Sequence, residues 1–273
     1  MSKLLKRRVS KVRPVRILEM RTPPAGVVQR KFSKAQAERY AANLDLDKLG
    51  TPIVNHRLGV YWIVDGQHRI EAVKMFFAPS DPGSIECRVY DDLTDAEMAD
   101  LFLGGDDRRA INVFEKFLVA CTAEHQREMD IRRTIEAQGL KISQTKETGC
   151  IGAVGALGRV YDTAGAVVLG QTVRVIRDAF NGDPQAFDGQ LIQGLGLVFN
   201  RYNGRTNEKD LSQRLAQFQS GARGVLRRAE AQRERTGNQK AQCVAAAIVD
   251  INNKGAKPAK RLPEWWKSAE TTP

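Results

Sequence analysis

A predicted strand meets a predicted helix within residues 60–72, which read VYWIVDGQHRIEA. Residues 60–64 are aromatic or aliphatic and predict a buried strand, whereas the apolar residues from Ile70 to Phe77 fall on one helical stripe. Asp65 and Gly66 separate the two patterns, so they predict the turn between strand and helix. This junction is the most informative feature of the sequence.

The start of the predicted helix is suited to an anion. First-turn N–H groups and the positive end of the helix dipole lie there, and His68 and Arg69 follow the turn directly. Arg69 has a planar fork of donors that matches phosphate, and His68 can exchange a proton near neutral pH. In the alternative interpretation, Asp65 caps an ordinary helix, Gly66 eases the turn and both cations are solvated. The motif alone leaves the two interpretations open.

Further strand and helix patterns flank the junction. Ahead of it we expect a strand at 15–20, a helix at 33–43 and a strand at 52–56 that turns at Leu58-Gly59. After it we expect a strand at 85–90 and a helix opened by Thr94 and Asp95. The resulting order is β-α-β-β-α-β-α, with the junction at the head of the helix that follows the third strand.

This order, with the DGQHR sequence at that point, resembles the ParB/sulfiredoxin-like superfamily over about residues 15–110. The spelling is similar to that of DndB-type proteins and of ParB-like proteins from actinobacteria and their phages. The resemblance implies that Gly66, Gln67, His68 and Arg69 contact the phosphates of a nucleoside triphosphate, CTP or ATP, with Asp65 at the cap. Sulfiredoxins have a cysteine where this chain has Gln67, so cysteine-sulfinate repair is not expected.

Beyond about residue 110 the strand patterns stop, and Gly, Asn and Pro punctuate a series of helical ones. We expect a helix from Val113 to Gly139, and then six more, at 151–162, 166–180, 186–202, 208–219, 221–235 and 239–252. The predicted fold class is α+β, a ParB/sulfiredoxin-like N-terminal domain followed by an all-α helical domain. The predicted boundaries are a basic flexible arm at 1–14, a nucleotide-binding domain at 15–110, a helical domain at 111–253 and a tail at 254–273.

Composition narrows the class of protein. The chain has 273 residues, of which 42% are hydrophobic and 27% charged, which is ordinary for a globular protein. Its four cysteines are scattered and its histidines number three, so neither a disulfide framework nor a zinc site is indicated. There is no signal-peptide pattern and no apolar run of membrane-spanning length, so we expect a cytoplasmic protein without a membrane partner.

The formal net charge of +11 favours a polyanionic partner. Residues 1–16 hold seven basic side chains and no acidic one, and residues 201–240 hold ten basic against four acidic. We therefore expect DNA contact, with salt-dependent affinity. The candidate contacts are Lys6, Arg7, Arg8, Lys11, Arg13, Arg227 and Arg228. The alternative is that these cations only face solvent.

Other polar residues could complete a nucleotide site. Asp106 and Asp107 are paired carboxylates beside arginines and could hold Mg²⁺, or they could cap the next helix. Gln29 and Arg30 could supply further contacts to the same pocket, although a surface arginine is the simpler interpretation.

Three functions are compatible with these residues. The first is a DNA-associated protein in which a nucleotide at the DGQHR sequence alters conformation or assembly, with homo-oligomer formation a further expectation. The second is an enzyme for nucleotide hydrolysis, a nuclease step or phage-type DNA modification. In it His68 is the acid/base, Arg69 stabilises charge, and Asp65 or Asp106 is the base or a metal ligand. The third is a scaffold with a vestigial pocket, which the intact DGQHR sequence disfavours.

The polar tail at 254–273 carries two adjacent tryptophans, Trp265 and Trp266. We expect them to dock in a groove of this chain or of a second subunit rather than to stack on bases, because a single-strand platform normally needs several aromatic residues among basic ones.

Overall fold

The computed structural model describes residues 8–24, 28, 32–104, 112–254 and 256–266. The chain divides into two compact units, Met1–His125 and Gln126–Pro273. The first contains a five-stranded mixed sheet and helices, and the second consists mainly of helices. The predicted α+β class is therefore confirmed at this level.

The sheet of the first unit places the junction on an inner strand. Its strands, in chain order, are β1 (Lys11–Arg16), β2 (Met20–Arg21), β3 (Ile53–Arg57), β4 (Val60–Asp65) and β5 (Ser84–Asp91). Their order across the sheet is β1-β5-β3-β4-β2. The β1/β5 and β3/β4 pairs are antiparallel, whereas the β5/β3 and β4/β2 pairs are parallel.

The first strand differs from the prediction for 15–20. A 3-10 turn at Ile17–Glu19 divides it into β1 and β2. Ile17 and Met20 are both fully buried although three residues apart, a spacing that a continuous strand would place on opposite faces. Because β1 begins at Lys11 and pairs with Val89, the arm predicted at 1–14 overlaps the sheet, and that boundary is wrong.

The first three helices of the first unit agree closely with the sequence patterns, and the fourth is shorter than predicted. They are α1 (Lys34–Ala42), α2 (Gln67–Phe77), α3 (Asp95–Leu103) and α4 (Val113–Thr122). Leu58 and Gly59 both adopt positive φ, as a tight hairpin between β3 and β4 requires. Thr94 and Glu97 form a reciprocal capping box at the start of α3.

Strand β4 is covered on both faces. Ile63 packs in one apolar cluster with Ile70 and Val73 of α2, and its neighbour Val64 packs in a second with Met98 of α3. Successive side chains of a strand point to opposite faces, so this division follows from the strand itself. The end of β4 is thereby fixed between two packed layers.

The second unit contains six α-helices and one short pair of strands among its described residues, together with two 3-10 turns. The elements are α5 (Gln126–Glu136), β6 (Lys141–Ile142), β7 (Cys150–Ile151), α6 (Val154–Phe180), α7 (Gly189–Arg201), α8 (Glu208–Ala216), α9 (Gly221–Thr236) and α10 (Lys240–Asn253). Because β6 and β7 pair in parallel, the predicted all-α description is not exact. Gly165 has non-helical backbone angles (φ 80°, ψ 179°) and divides α6 into two segments. This break agrees with the two helices predicted at 151–162 and 166–180.

Two further boundaries differ from the prediction. The helix expected from Val113 to Gly139 is two helices, α4 and α5, separated at Glu124, which adopts φ 57°. The units divide after His125, so α4 belongs to the first unit and the predicted boundary near 110 is wrong. The predicted tail is also part of the second unit, because Ala256 and Leu262 are buried.

In the described part of the chain, no helix is both long and apolar enough to span a bilayer. The four cysteines are buried thiols. Burial raises the pKa of the Cys87 thiol to about 12, so this group stays protonated near neutral pH and is a poor nucleophile.

Candidate functional site

The junction between β4 and α2 depends on the backbone of Gly66. This residue occupies the N-cap position with φ 95° and ψ 15°, a conformation that side chains with a Cβ rarely adopt. A Cβ there would also lie 3.1 Å from the Cβ of Pro52. The expectation that Asp65 caps the helix is wrong: β4 continues through Asp65, which pairs with Ile53, and Gly66 has no side chain with which to cap.

The guanidinium of Arg69 is held at the first turn of α2. Its Nη1 donates to the carbonyl oxygen of Leu49 at 2.7 Å, and its Nη2 donates to Oδ2 of Asp65 at 2.7 Å. A Cβ on Gly50 would lie 3.2 Å from Nη1, and one on Gly66 would lie 3.2 Å from Nη2. The two glycines therefore let the guanidinium lie close against the backbone, where Asp65 opposes its charge.

His68 is buried beside Arg69 and has a defined partner. Its Nε2 accepts the backbone N–H of Ser33 at 3.1 Å, and its ring stacks on Phe32 at 5.2 Å between centroids. An accepting Nε2 places the proton of the neutral imidazole on Nδ1. Only 4% of His68 is exposed, as is 4% of Gln67. His68 thus fixes the segment before α1 against the start of α2.

The other residues predicted for the nucleotide site are not all described. Asp65, Gly66, Gln67, His68 and Arg69 come together at the junction. Gln29, Arg30, Asp106 and Asp107 lie outside the described residues, and their predicted roles stay predictions. Within the described ranges, no group of three or more His, Cys, Asp or Glu side chains could hold a metal ion.

The described arginines near the N-terminus face acidic partners of the same unit. Lys6 and Arg7 lie outside the described residues. Lys11 is exposed on β1. The three described arginines of this segment each pair with an aspartate: Arg8 with Asp100 at 3.0 Å, Arg13 with Asp91 at 3.5 Å, and Arg16 with Asp81 at 2.6 Å. The sequence had suggested nucleic-acid contact for Arg8 and Arg13, but their charges are opposed within the unit.

The electrostatics of these aspartates agree with the pairing. Burial acts to raise the pKa of Asp100, but hydrogen bonds from Arg8 and His125 lower it overall. The pKa of Asp81 is lowered by the backbone N–H of Gly83 and then by Arg16. Both carboxylates therefore remain ionised near neutral pH and hold their cations.

A second concentration of cations lies in the second unit, in what we call the C-terminal groove. It lies between the turn from α8 to α9, the C-terminal end of α10 and residues 261–266, and its volume is about 2130 Å³. Five basic and two acidic side chains line it: Arg214, Arg227, Arg228, Lys254, Arg261, Asp250 and Glu264. The sequence had identified Arg227 and Arg228 but not the other three cations, which come from separate segments and share no local pattern.

The two tryptophans behave differently. Trp265 lies 6.2 Å from the ring of Tyr202, and the guanidinium of Arg201 lies over it at 4.8 Å. Arg201 also donates to the carbonyl oxygen of Trp265. The predicted docking is thus confirmed for Trp265, whereas Trp266 is 46% exposed and lines the C-terminal groove.

The chain belongs to a family of unknown function, DUF6551, whose family model matches residues 23–257. The match includes the junction and α4 to α10, and it ends before the two tryptophans. No curated protein sequence matches the chain.

Proposed function

We propose that this member of the DUF6551 family is a DNA-associated protein that binds a nucleoside triphosphate, CTP or ATP, through residues 65–69. The observation that carries the proposal is the guanidinium of Arg69, fixed at the first turn of α2 between Gly50 and Gly66. A cation that is ordered before its ligand arrives loses little conformational freedom on binding, and its fork matches phosphate oxygens. Mg²⁺ as a counter-ion of the triphosphate is a further expectation.

Asp65 sets the strength of this site. Arg69 has five N–H groups, of which one bonds to Leu49 and one to Asp65. A phosphate that approaches the guanidinium competes with the Asp65 carboxylate, and the two negative charges repel each other at short range. The affinity for a triphosphate should therefore rise when the Asp65 charge is removed.

We also propose that the first unit has the ParB/sulfiredoxin-like arrangement. Support comes from the order β3, β4, α2, β5, α3 and from the position of the DGQHR sequence at the start of the helix after β4. The 3-10 turn that separates β1 from β2 comes before β3, so it does not alter this order.

DNA association is supported by the charge of the chain and by its distribution. The net charge is +11, yet the described arginines of β1 and its flank are paired with aspartates. The C-terminal groove, where cations outnumber acids, is therefore the better candidate for phosphate contact.

Binding is preferred to the enzyme alternative because of His68. A general acid or base must reach the reacting atom, and Nε2 of His68 is occupied by the N–H of Ser33 while its ring is covered by Phe32. The position of His68 thus favours a structural role beside a bound phosphate.

The test is isothermal titration of the full chain with CTP, ATP, GTP and ADP in the presence of Mg²⁺. We expect one triphosphate to bind, Asp65→Asn to strengthen its affinity by about threefold to tenfold, and Arg69→Ala to weaken it by at least about tenfold. Phosphate release is measured in parallel: if Asp65 were a catalytic base or a metal ligand, Asp65→Asn would lower turnover instead of strengthening binding.

Arg57→Ala is the matched control, because Arg57 also bridges a carbonyl and an aspartate. It donates to Leu93 at 3.0 Å and to Asp95 at 2.8 Å. We expect this variant to bind nucleotide as the wild type does. The proposal is overturned if no nucleotide binds the wild type, or if Arg57→Ala and Arg69→Ala weaken binding equally.

A further inference from the structure

The five basic side chains that line the C-terminal groove are only partly paired with carboxylates. No ion pair is found for Arg227 or Lys254 among the residues that the structure describes. Arg228 pairs with Asp250 at 3.0 Å, so one of the five basic side chains is neutralised by a groove aspartate. The remaining positive charge faces an open volume, which suits a polyanion rather than an apolar ligand.

Two other groove arginines are oriented by uncharged groups. Arg214 donates to the carbonyl oxygen and to Oδ1 of Asn252, and Arg261 donates to the carbonyl oxygen of Ala256 at 3.2 Å. These partners hold the side chains in place but leave their charges uncompensated. The groove therefore combines ordered cations with an excess of positive charge.

The segment that carries Trp266 is held firmly. Asn253 bonds to both backbone groups of Leu262 at 2.8 Å, and the hydroxyl of Tyr202 donates to the carbonyl oxygen of Pro263 at 2.7 Å. Trp265 is anchored on Arg201 and Tyr202, as described above. Trp266, the next residue, is consequently presented at the groove with 46% of its surface exposed.

We infer that the C-terminal groove binds single-stranded DNA, with Trp266 stacking on a base and Arg227 and Lys254 contacting the backbone phosphates. The expectation that neither tryptophan stacks on a base is revised for Trp266, because its exposed indole lies beside cations that have no ion pair among the described residues. Base faces are accessible in a single strand, whereas in a duplex they are covered by neighbouring pairs. The inference rests on the proposed DNA association and names the form of DNA that the groove accepts.

The test is fluorescence anisotropy of the full chain with a labelled oligothymidylate and with a labelled duplex of equal length, at several salt concentrations. We expect the single strand to bind more tightly. Trp266→Ala should weaken single-strand affinity by about tenfold. Arg227→Ala should weaken it severalfold and reduce the slope of log affinity against log salt by about 0.7.

Two matched controls lie outside the groove. Tyr40 of α1 is 44% exposed, close to the value for Trp266, so Tyr40→Ala removes an exposed aromatic ring elsewhere. Arg223 lies one helical turn before Arg227 on α9 and bonds to Gln185. Both Tyr40→Ala and Arg223→Ala should bind the single strand within about twofold of the wild type.

The outcomes separate this inference from the proposed function. If the duplex binds at least as tightly as the single strand, or if Trp266→Ala and Arg227→Ala bind like the controls, the inference is overturned while DNA association stands. If neither DNA binds, both fail. Nucleotide titration at Arg69 is unaffected by either result, so the two sites are tested independently.

Discussion

Two regions of this protein carry arginines beside aspartates, and they use them differently. At the junction, Arg69 is bonded to Asp65 and Leu49, with 27% of its side chain exposed. In the C-terminal groove, Arg228 is paired with Asp250 while Arg227, close by on α9, has no ion pair among the described residues. The junction has one arginine whose charge is balanced by Asp65, whereas the C-terminal groove has more basic than acidic side chains.

This difference predicts different responses to an anion. A phosphate at the junction must displace or share a carboxylate, so its binding depends on Asp65 and on the fixed geometry of Arg69. A phosphate chain in the groove meets cations that are largely uncompensated, so its binding depends on salt. On these proposals, phosphate binding would depend on the fixed geometry of Arg69 in the first unit and on the excess of positive charge in the second.

The largest expected effect is a loss of folding stability when Arg69 is removed, because this side chain bonds to two groups of the first unit. Arg69→Ala leaves the Leu49 carbonyl and Asp65 without their donor, and should lower the free energy of unfolding by about 1.5–3 kcal/mol. Arg227→Ala should change it by less than about 0.5 kcal/mol. Denaturant unfolding with hydrogen exchange of peptides from each unit measures both, and equal destabilisation by the two variants would break the comparison.

A smaller loss of stability is expected when a Cβ is added to Gly66, which lies close to Pro52. Gly66→Ala imposes both a positive φ and a 3.1 Å contact with Pro52, whereas Gly59→Ala imposes a positive φ with nothing within 4 Å. We expect Gly59→Ala to cost about 1 kcal/mol and Gly66→Ala about 1 kcal/mol more. Thermal and denaturant unfolding of the two variants compare them directly; identical losses would mean that the junction tolerates a Cβ.

The smallest effect concerns acid pH. The pKa of Asp81 is lowered in the folded state by the Gly83 N–H and by Arg16. Its contribution to stability is therefore present above the unfolded pKa of about 4 and is lost as pH falls through the lower folded value. Asp81→Asn should make unfolding less dependent on pH in that range, as thermal unfolding at stepwise lower pH would measure. An unchanged pH profile would show that Arg16 is not held by this charge.

Much of the first unit follows from local sequence patterns. The alternation and apolar content of β3, β4 and β5, the hairpin at Leu58-Gly59 and the cap at Thr94 all have short-range causes, and the structure agrees with them. The division at Ile17–Glu19 was missed because neither glycine nor proline marks it; it arises from the need to bury Ile17 and Met20 on the same side. The break at Glu124 was missed for the same lack of a local signal.

The site was predicted less completely than the fold. Residues 65–69 were identified from their order, but one of the two partners of Arg69 is the backbone carbonyl of Leu49, which no residue type could reveal. Similarly, Arg13 and Arg16 are far in sequence from Asp91 and Asp81, and the antiparallel pairing of β1 with β5 brings them together. Interactions set by register or by backbone atoms are therefore the part that the sequence does not reveal by pattern alone.

Amide chemical-shift mapping of the full chain during titration with CTP or ATP and Mg²⁺ shows directly whether the nucleotide binds at the junction. We expect the shifts to concentrate on Leu49, Gly50 and residues 65–70, with the amides of the C-terminal groove unchanged. Shifts that concentrate on the groove, or saturating nucleotide without shifts at the junction, would contradict this expectation.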